Sequence, residues 1–254
     1  MSEPVLEVRG ATVRYGAVHA LHDVDLSVAP GELCGVIGPN GAGKTTLFDV
    51  ISGHNVPTSG RVVLDGVDIS GRGALWRARH GVRRTFQRQQ VFGALTVEEN
   101  IRAALDWRRG EGGFVADLLG LRVGSSLRND RRRRVEEVLE LRGLGPLRSS
   151  YAGTLPIGAA RMLELARAIV DSPRLLLLDE PSSGLGEAET VRLGEVVAQV
   201  RRETGCACLL VEHDVPFVMR LVDRVVVLHL GQVLAVGTPE EIQQDAQVRA
   251  AYLG

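Results

Sequence analysis

The chain has 254 residues, of which 44% are hydrophobic and 24% charged, a composition typical of a globular protein with an ample core. This length allows one large α/β domain, or a domain with a subdomain. The net charge of -1 indicates neither a nucleic-acid partner nor attraction to an anionic membrane surface. The N-terminus lacks a signal peptide's basic start and apolar segment, and no apolar run reaches about 18 residues. We therefore expect a cytoplasmic chain without a membrane span.

The N-terminal residues 3–30 alternate apolar and polar side chains, a pattern that predicts antiparallel strands joined at Tyr15-Gly16. The run 61–66 adds a further hairpin arm after a turn cluster at 55–60. Tyr15 has two interpretations at this point. It is either an ordinary strand aromatic or a platform on which a purine ring stacks.

The next stretch has the pattern G-x-x-x-x-G-K-[ST] of a phosphate-binding loop. A short apolar run at 33–37 precedes it and predicts a buried strand, and the run from residue 46 to residue 51 predicts a helix. Such a setting lets backbone N–H groups at a helix N-terminus surround phosphate oxygens. The loop residues are Gly38, Pro39, Asn40, Gly41, Ala42, Gly43, Lys44, Thr45 and Thr46.

Within this loop, Lys44 is the only lysine of the chain, and the other members of the Lys+Arg total of 30 are arginines. A compact ammonium on a flexible stem suits a phosphate site better than a planar guanidinium. We expect Lys44 to reach the β- and γ-phosphates and the Thr45 hydroxyl to bind magnesium. The sequence therefore predicts a nucleotide site.

Beyond the loop, residues 72–88 hold many arginines, which we interpret as the solvated face of a helix. From Thr96 to about Ser149 the composition favours helices, and Glu99 follows Thr96 at the spacing of a capping box. A basic run at 131–134 opens an amphipathic helix, again with an exposed arginine face expected.

Two later apolar runs end in polar residues. The run 174–178 reads as a central parallel strand that ends at Asp179 and Glu180, where open α/β sheets bind ligands. Asp179 is placed to hold magnesium opposite Thr45, and Glu180 to orient or deprotonate the attacking water. His213 follows the second run, at 209–211, either as a structural residue or as a sensor of the γ-phosphate. A closing hairpin at 225–236 and a final helix complete the pattern.

Taken together, these motifs resemble the nucleotide-binding subunit of ABC transporters over essentially the whole chain. The resemblance implies a P-loop NTPase core of α/β class with a parallel sheet, an N-terminal antiparallel β subdomain and an inserted helical subdomain. It implies one ATP-binding domain, with a catalytic core at 1–88 and 155–254 and a helical subdomain at 89–154. Tyr15 then stacks on adenine, and ATP and Mg2+ are the cofactors.

The resemblance also assigns roles to residues that the patterns alone leave open. Gln87, in Thr85-Phe86-Gln87, is similar to the Q-loop glutamine that meets magnesium and relays to the membrane partner. His213 is similar to the switch histidine, beside the catalytic Glu180 and Lys44. Gly158 is the glycine of the signature that binds the nucleotide of a second subunit.

The closest resemblance is to the ATPases of branched-chain amino acid importers, whose longer helical insert would account for residues 105–130. Residues 84–87, 211–214, 237–240 and 249–254 carry this likeness. Two motifs depart from the family. The signature Leu-Ser-Gly-Gly-Gln falls on residues 155–159, where Pro156 lacks a hydroxyl and Ala159 an amide, and the D-loop aspartate position is Gly186.

The implied partners are a second ABC ATPase subunit, in a homodimer or heterodimer, and membrane permeases at the cytoplasmic face of the membrane. An external substrate-binding protein acts through the permeases, and nucleic acid is not a partner. Three other functions stay open: an ATPase of a urea or short-chain amide importer, an ATPase of lipid or lipopolysaccharide export, and a soluble ABC ATPase outside transport.

Overall fold

The computed structural model describes residues 3–87, 90–107, 125–141 and 143–253. Its strands are β1 (Leu6–Tyr15), β2 (Val18–Val28), β3 (Leu33–Ile37), β4 (Ser59–Leu64), β5 (Val67–Asp68), β6 (Val82–Arg84), β7 (Leu175–Asp179), β8 (Ala207–Val211), β9 (Arg224–His229) and β10 (Gln232–Gly237). Its α-helices are α1 (Lys44–Ser52), α2 (Ala74–Arg79), α3 (Val97–Trp107), α4 (Ser125–Leu141), α5 (Ile157–Ile169), α6 (Glu187–Thr204), α7 (Val215–Leu221), α8 (Pro239–Gln244) and α9 (Ala246–Leu253). None of the described helices is long and apolar enough to cross a bilayer.

The chain divides into two compact units. The first comprises residues 1–84, 174–181 and 197–254, and the second comprises residues 85–173 and 182–196. The predicted boundaries of the catalytic core and the helical subdomain stay a prediction. Most of the insert expected at residues 105–130 lies outside the described residues.

The first unit contains two sheets. The antiparallel sheet has the order β2-β1-β4-β5, and the second sheet has the order β10-β9-β3-β8-β7-β6. Neighbours from β9 to β6 pair in parallel, whereas β10 pairs with β9 in antiparallel fashion. The predicted N-terminal hairpin, the strand at 33–37 and the closing hairpin are confirmed.

The apolar sequence runs form the central strands of the parallel sheet, and burial explains their composition. Every residue of β3, β7 and β8 is buried, as expected of strands covered on both faces. Because parallel strands share a direction, the carboxyl ends of β3, β7 and β8 lie at one edge of the sheet. That edge receives the phosphate-binding loop, Asp179 and His213.

The expected solvated arginine face at 72–88 is wrong for Arg77, which is 0% exposed. Its guanidinium donates to five main-chain carbonyls at 2.6–3.2 Å, those of Val50, Ile51, Ile69, Ser70 and Arg72. Burial lowers the pKa of Arg77 to about 10. A guanidinium has five N–H donors, so a cluster of main-chain carbonyls can hold it inside a fold. Arg84, in the same stretch, is also buried.

The second unit is helical in its described parts. Helix α3 packs against α4 and α5. The predicted capping box is confirmed, since the Glu99 N–H donates to Thr96 Oγ1 at 3.3 Å and the Thr96 N–H donates to the Glu99 carboxylate at 2.8 Å. The basic run 131–134 lies in the middle of α4 and not at its start as predicted, and it is mixed rather than uniformly exposed, with exposed side-chain fractions of 73% for Arg133 and 19% for Arg131.

Candidate nucleotide site

The loop between β3 and α1 has a backbone that accepts only glycine at its ends. A Cβ at Gly38 would lie 2.2 Å from the carbonyl oxygen of Leu228, which is impossible without a shift of the main chain. Gly43, directly before α1, has φ of 102° and would place a Cβ 2.6 Å from the Ala20 oxygen. The N–H of Gly231 also holds the loop by donating to the Ala42 carbonyl at 3.1 Å. The glycines of the motif are therefore steric requirements of this turn.

Lys44 opens helix α1 and is only 6% exposed. Its ammonium donates to the carbonyls of Gly38 at 2.6 Å and Pro39 at 3.0 Å, inside the loop. Burial lowers the pKa of Lys44, and the negative charge of Glu180 partly opposes this shift. The structure thus places the one lysine of the sequence where the loop meets the N-terminus of α1. It is followed by an exposed Thr45 and a half-buried Thr46.

Asp179 ends β7 and is buried. Its Oδ2 accepts from Nη2 of Arg84 at 2.8 Å. The Nη1 of Arg84 donates to the Asp49 carboxylate at 2.6 Å and to the Ser52 hydroxyl at 3.0 Å, both on α1. One guanidinium therefore connects the end of β7 to the helix that follows the phosphate-binding loop. Arg84 was not predicted as a site residue, because an arginine run alone does not show which member is buried.

Glu180 adopts a left-handed backbone conformation, with φ of 47°. Its N–H donates to the Val211 carbonyl at 2.9 Å, which fixes the turn after the strand. The carboxylate Oε1 lies 2.6 Å from Nε2 of His213, and the side chain of Glu180 is only 14% exposed. A strained backbone at a carboxylate is common at functional sites. The structure therefore brings together Glu180 and His213, which lie 33 positions apart in the numbering.

Tyr15 lies at the end of β1 and is 57% exposed. Its hydroxyl accepts from Nδ2 of Asn55 at 2.6 Å, which orients the ring. An exposed aromatic ring on the N-terminal sheet fits a stacking platform, and that role stays a prediction.

Gln87 and Gly158 belong to the second unit. Gly158 lies in the first turn of α5, whose N-cap is Pro156 and makes no side-chain cap bond. A methyl group at Gly158 would lie 2.0 Å from Oε1 of Glu189, so a larger residue there would require the exposed Glu189 side chain to move. The other oxygen of Glu189 accepts from the N–H of Gly186 at 3.1 Å. Glu189 therefore covers Gly158 and also binds the main chain at Gly186.

The main chain around Gln87 is held by two residues that sequence reasoning missed. Arg161 donates to the carbonyls of Phe86 and Gln87, and Glu164 accepts from the N–H of Gln90. Both side chains are buried. The only sequence signal was their spacing of three on a helix, which alone indicates an ordinary ion pair.

A glycine loop between a buried parallel strand and a helix, with carboxylates at the end of another strand of the same sheet, defines a protein that binds nucleoside triphosphates. Comparison with known families agrees. Residues 21–183 match the family model described as ABC transporter, and residues 232–254 match the one described as Branched-chain amino acid ATP-binding cassette transporter. The chain belongs to the ABC transporter family, as an ATP-binding and ATP-hydrolysing subunit.

Individual relatives cover the whole chain. It is 41% identical to the high-affinity branched-chain amino acid transport ATP-binding protein BraF of Pseudomonas aeruginosa, over 100% of this chain and 99% of that protein. It is 39% identical to LivG, of the same description, from Escherichia coli strain K12, with the same coverage. Among solved structures it resembles an ATP-binding cassette of an ABC transporter in its ADP conformation, with a TM-score of 0.84 and 27% identity over 100% of both chains. The predicted family, fold class and ATPase activity are confirmed.

Proposed function

We propose that this chain is the ATPase of an importer of branched-chain amino acids or closely related amino acids. The convergence of the phosphate-binding loop, Asp179, Glu180 and His213 at one sheet edge supports the ATPase chemistry. The match of residues 232–254 to the branched-chain amino acid family model supports the substrate class. Full-length identity of about two-fifths to BraF and LivG points the same way.

In the proposed reaction, the loop from Gly38 to Thr46 surrounds the phosphates with N–H groups, and Tyr15 stacks on adenine. Lys44 leaves the carbonyls of its own loop for the β- and γ-phosphates. Glu180 accepts a proton from the attacking water, and His213 holds this carboxylate through its ring nitrogen. The left-handed backbone of Glu180 keeps the carboxylate at the end of β7.

The residues present also fit a magnesium ion. In the first unit, the exposed Thr45 hydroxyl and the Asp179 carboxylate carry oxygen atoms, the ligands that Mg2+ prefers, and Gln87 of the second unit stays a predicted third ligand. When bound, the ion neutralises charge on the β- and γ-phosphates. Arg84 contributes from the protein side, because it holds one carboxylate oxygen of Asp179.

The proposed assembly is a pair of ATPase subunits bound to two permeases at the cytoplasmic face of the membrane, with an external substrate-binding protein. Each ATP lies between the loop of one subunit and the signature of the other. The site completed by a partner's signature would be the working one. The site that uses Pro156 to Ala159 of this chain would be weaker, because two polar side chains are missing there.

Affinity purification of the tagged chain from its native membranes tests this proposal. We expect to recover two multi-span permeases and a second ATPase, and the ligand of the accompanying binding protein should be a branched-chain amino acid. A ligand such as urea or a short amide would overturn the substrate class alone. Recovery from the soluble fraction only, with ribosomes or DNA-maintenance proteins, would overturn the transport function and leave the ATPase.

A further inference from the structure

A buried arginine of α5 donates hydrogen bonds to the main chain at Gln87 and the residue before it. Arg161 is 7% exposed, and its Nη2 donates to the Gln87 carbonyl at 2.7 Å. Its Nη1 donates to the Phe86 carbonyl at 3.0 Å. Two consecutive carbonyls on one guanidinium fix the direction of the peptide as well as its position, because the N–H groups of arginine form a rigid fork.

Glu164, one turn further along α5, binds the main chain at Gln90, three residues after Gln87. Its Oε1 accepts from the N–H of Gln90 at 2.6 Å, and its Oε2 accepts from Nη1 of Arg161 at 3.0 Å. The carboxylate is as buried as the guanidinium, so each charge balances the other away from water. We call Arg161 and Glu164 the α5 clamp.

Arg167 extends the same face of the helix. It donates to the Gln90 carbonyl, and its guanidinium lies 4.4 Å from the ring centroid of Phe92. Positions 161, 164 and 167 are three apart, so they lie along one face of α5. Gly158 lies in the first turn of the same helix. The signature turn and the Gln87 peptide are therefore both attached to one rigid element.

We propose that the α5 clamp positions Gln87, so that any displacement of the signature helix moves Gln87 with it. This inference rests on the proposed function, in which Gln87 meets the magnesium of the nucleotide. Arg161 and Glu164 touch neither nucleotide nor metal in this proposal, and they are positioning residues. Their contacts to Phe86, Gln87 and Gln90 are to main-chain atoms, so these contacts do not depend on which side chains stand at those three positions.

A double-mutant cycle distinguishes positioning from simple stabilisation. In the assembled complex, Arg161→Met should lower kcat for ATP hydrolysis at least about tenfold, with a smaller change in KM. If Arg161 acts through Gln87, the same substitution should cost less than about twofold in a Gln87→Ala background. Equal losses in both backgrounds would overturn the proposal and leave Arg161 a stabilising residue.

Arg134→Met is the matched control in this experiment. Arg134 also donates to a main-chain carbonyl of the second unit, that of Val170 at 3.0 Å, and pairs with Ser172 Oγ at 3.1 Å. It contacts no described residue of the Gln87 segment in these hydrogen bonds. Its replacement should change kcat equally in the presence and absence of Gln87. Glu164→Gln, which keeps an acceptor for the Gln90 N–H, should retain more activity than Glu164→Ala.

Hydrogen exchange gives a readout that does not need activity. In the full chain without nucleotide, amides in the peptide 85–92 should exchange at least about tenfold faster in Arg161→Met and Glu164→Ala than in Arg134→Met. Unchanged exchange rates in these two variants would overturn the proposal that Arg161 and Glu164 hold this peptide. A wild-type complex that fails to hydrolyse ATP would refute the proposed function instead, and the exchange result would still decide whether the clamp exists.

Discussion

The region around the phosphate-binding loop and the region around the signature position differ in how many of the family's motif side chains they keep. In the first region, Lys44, Asp179, Glu180 and His213 are the residue types that the resemblance assigns to the reaction, and they end or follow strands whose carboxyl ends lie at one edge of the sheet. In the second region, the family's serine and glutamine positions are Pro156 and Ala159. Nevertheless, the second region keeps its glycine and its helix.

Each region is anchored by one buried arginine, and the two arginines bind different kinds of group. Arg84 binds the carboxylates of Asp49 and Asp179. Arg161 binds the carbonyls of Phe86 and Gln87 and a single carboxylate. A side-chain contact is lost when either residue changes, whereas a carbonyl is present at every residue. The carbonyl contacts of Arg161 therefore do not depend on which side chains stand at positions 86 and 87.

The largest expected effect is that of Glu180→Gln on the chemistry of the loop region. Glutamine keeps the shape but cannot accept a proton, so ATP hydrolysis in the complex should fall on the order of 10²- to 10⁴-fold while ATP binding persists. Steady-state hydrolysis and nucleotide binding measure the two effects. Glu187→Gln, at an exposed position in the first turn of α6, is the control and should be active. Full hydrolysis by Glu180→Gln would refute the assignment of the base.

A smaller effect is expected when the anchor of the loop region is removed. Arg84→Met leaves the buried Asp179 without its guanidinium and should lower the free energy of unfolding by about 3 to 5 kcal/mol. Arg84→Lys should lose less, because an ammonium can still pair with one carboxylate. Arg174→Met breaks an exposed pair with Asp65 and should cost under about 1 kcal/mol.

Denaturant unfolding followed by circular dichroism measures all three variants. Similar losses for Arg84→Met and Arg174→Met would mean that the buried ion pair does not anchor the loop region.

The smallest effect tests whether the altered signature weakens assembly. Pro156→Ser restores a hydroxyl at the N-cap of α5, where it can reach a phosphate held by the partner subunit. A hydrogen bond to a charged group contributes about 1.5 kcal/mol or more, so ATP-dependent association should strengthen about tenfold. Sedimentation in ATP, with Glu180→Gln present to prevent hydrolysis, measures the association.

Pro146→Ser is the control for this substitution, at an exposed position in the short 3-10 helix Gly145–Leu147 of the same unit. Unchanged association of Pro156→Ser would show that the backbone of the signature turn suffices.

Much of the fold follows from local patterns. The run before the loop predicts β3 with the bounds that the structure has, and the Thr96 and Glu99 spacing predicts the cap of α3. These predictions succeed because a continuous apolar run and a capping pair are both visible in residues that are neighbours in the chain. The expected arginine face fails at Arg77 for the opposite reason. Its acceptors span Val50 to Arg72, and their meeting requires the folded chain.

The sequence alone was enough to predict the phosphate-binding loop, the polar residues Asp179 and His213 after two buried strands, and the family of this protein. Each of these predictions depends on short segments of consecutive residues. The tertiary structure decided which arginines are interior anchors, and that Glu180 meets His213 at 2.6 Å. It also decided that Arg161 holds the Gln87 peptide. Such contacts join residues far apart in the chain. A charged side chain is buried only where partners from several elements converge to offset the cost of losing water.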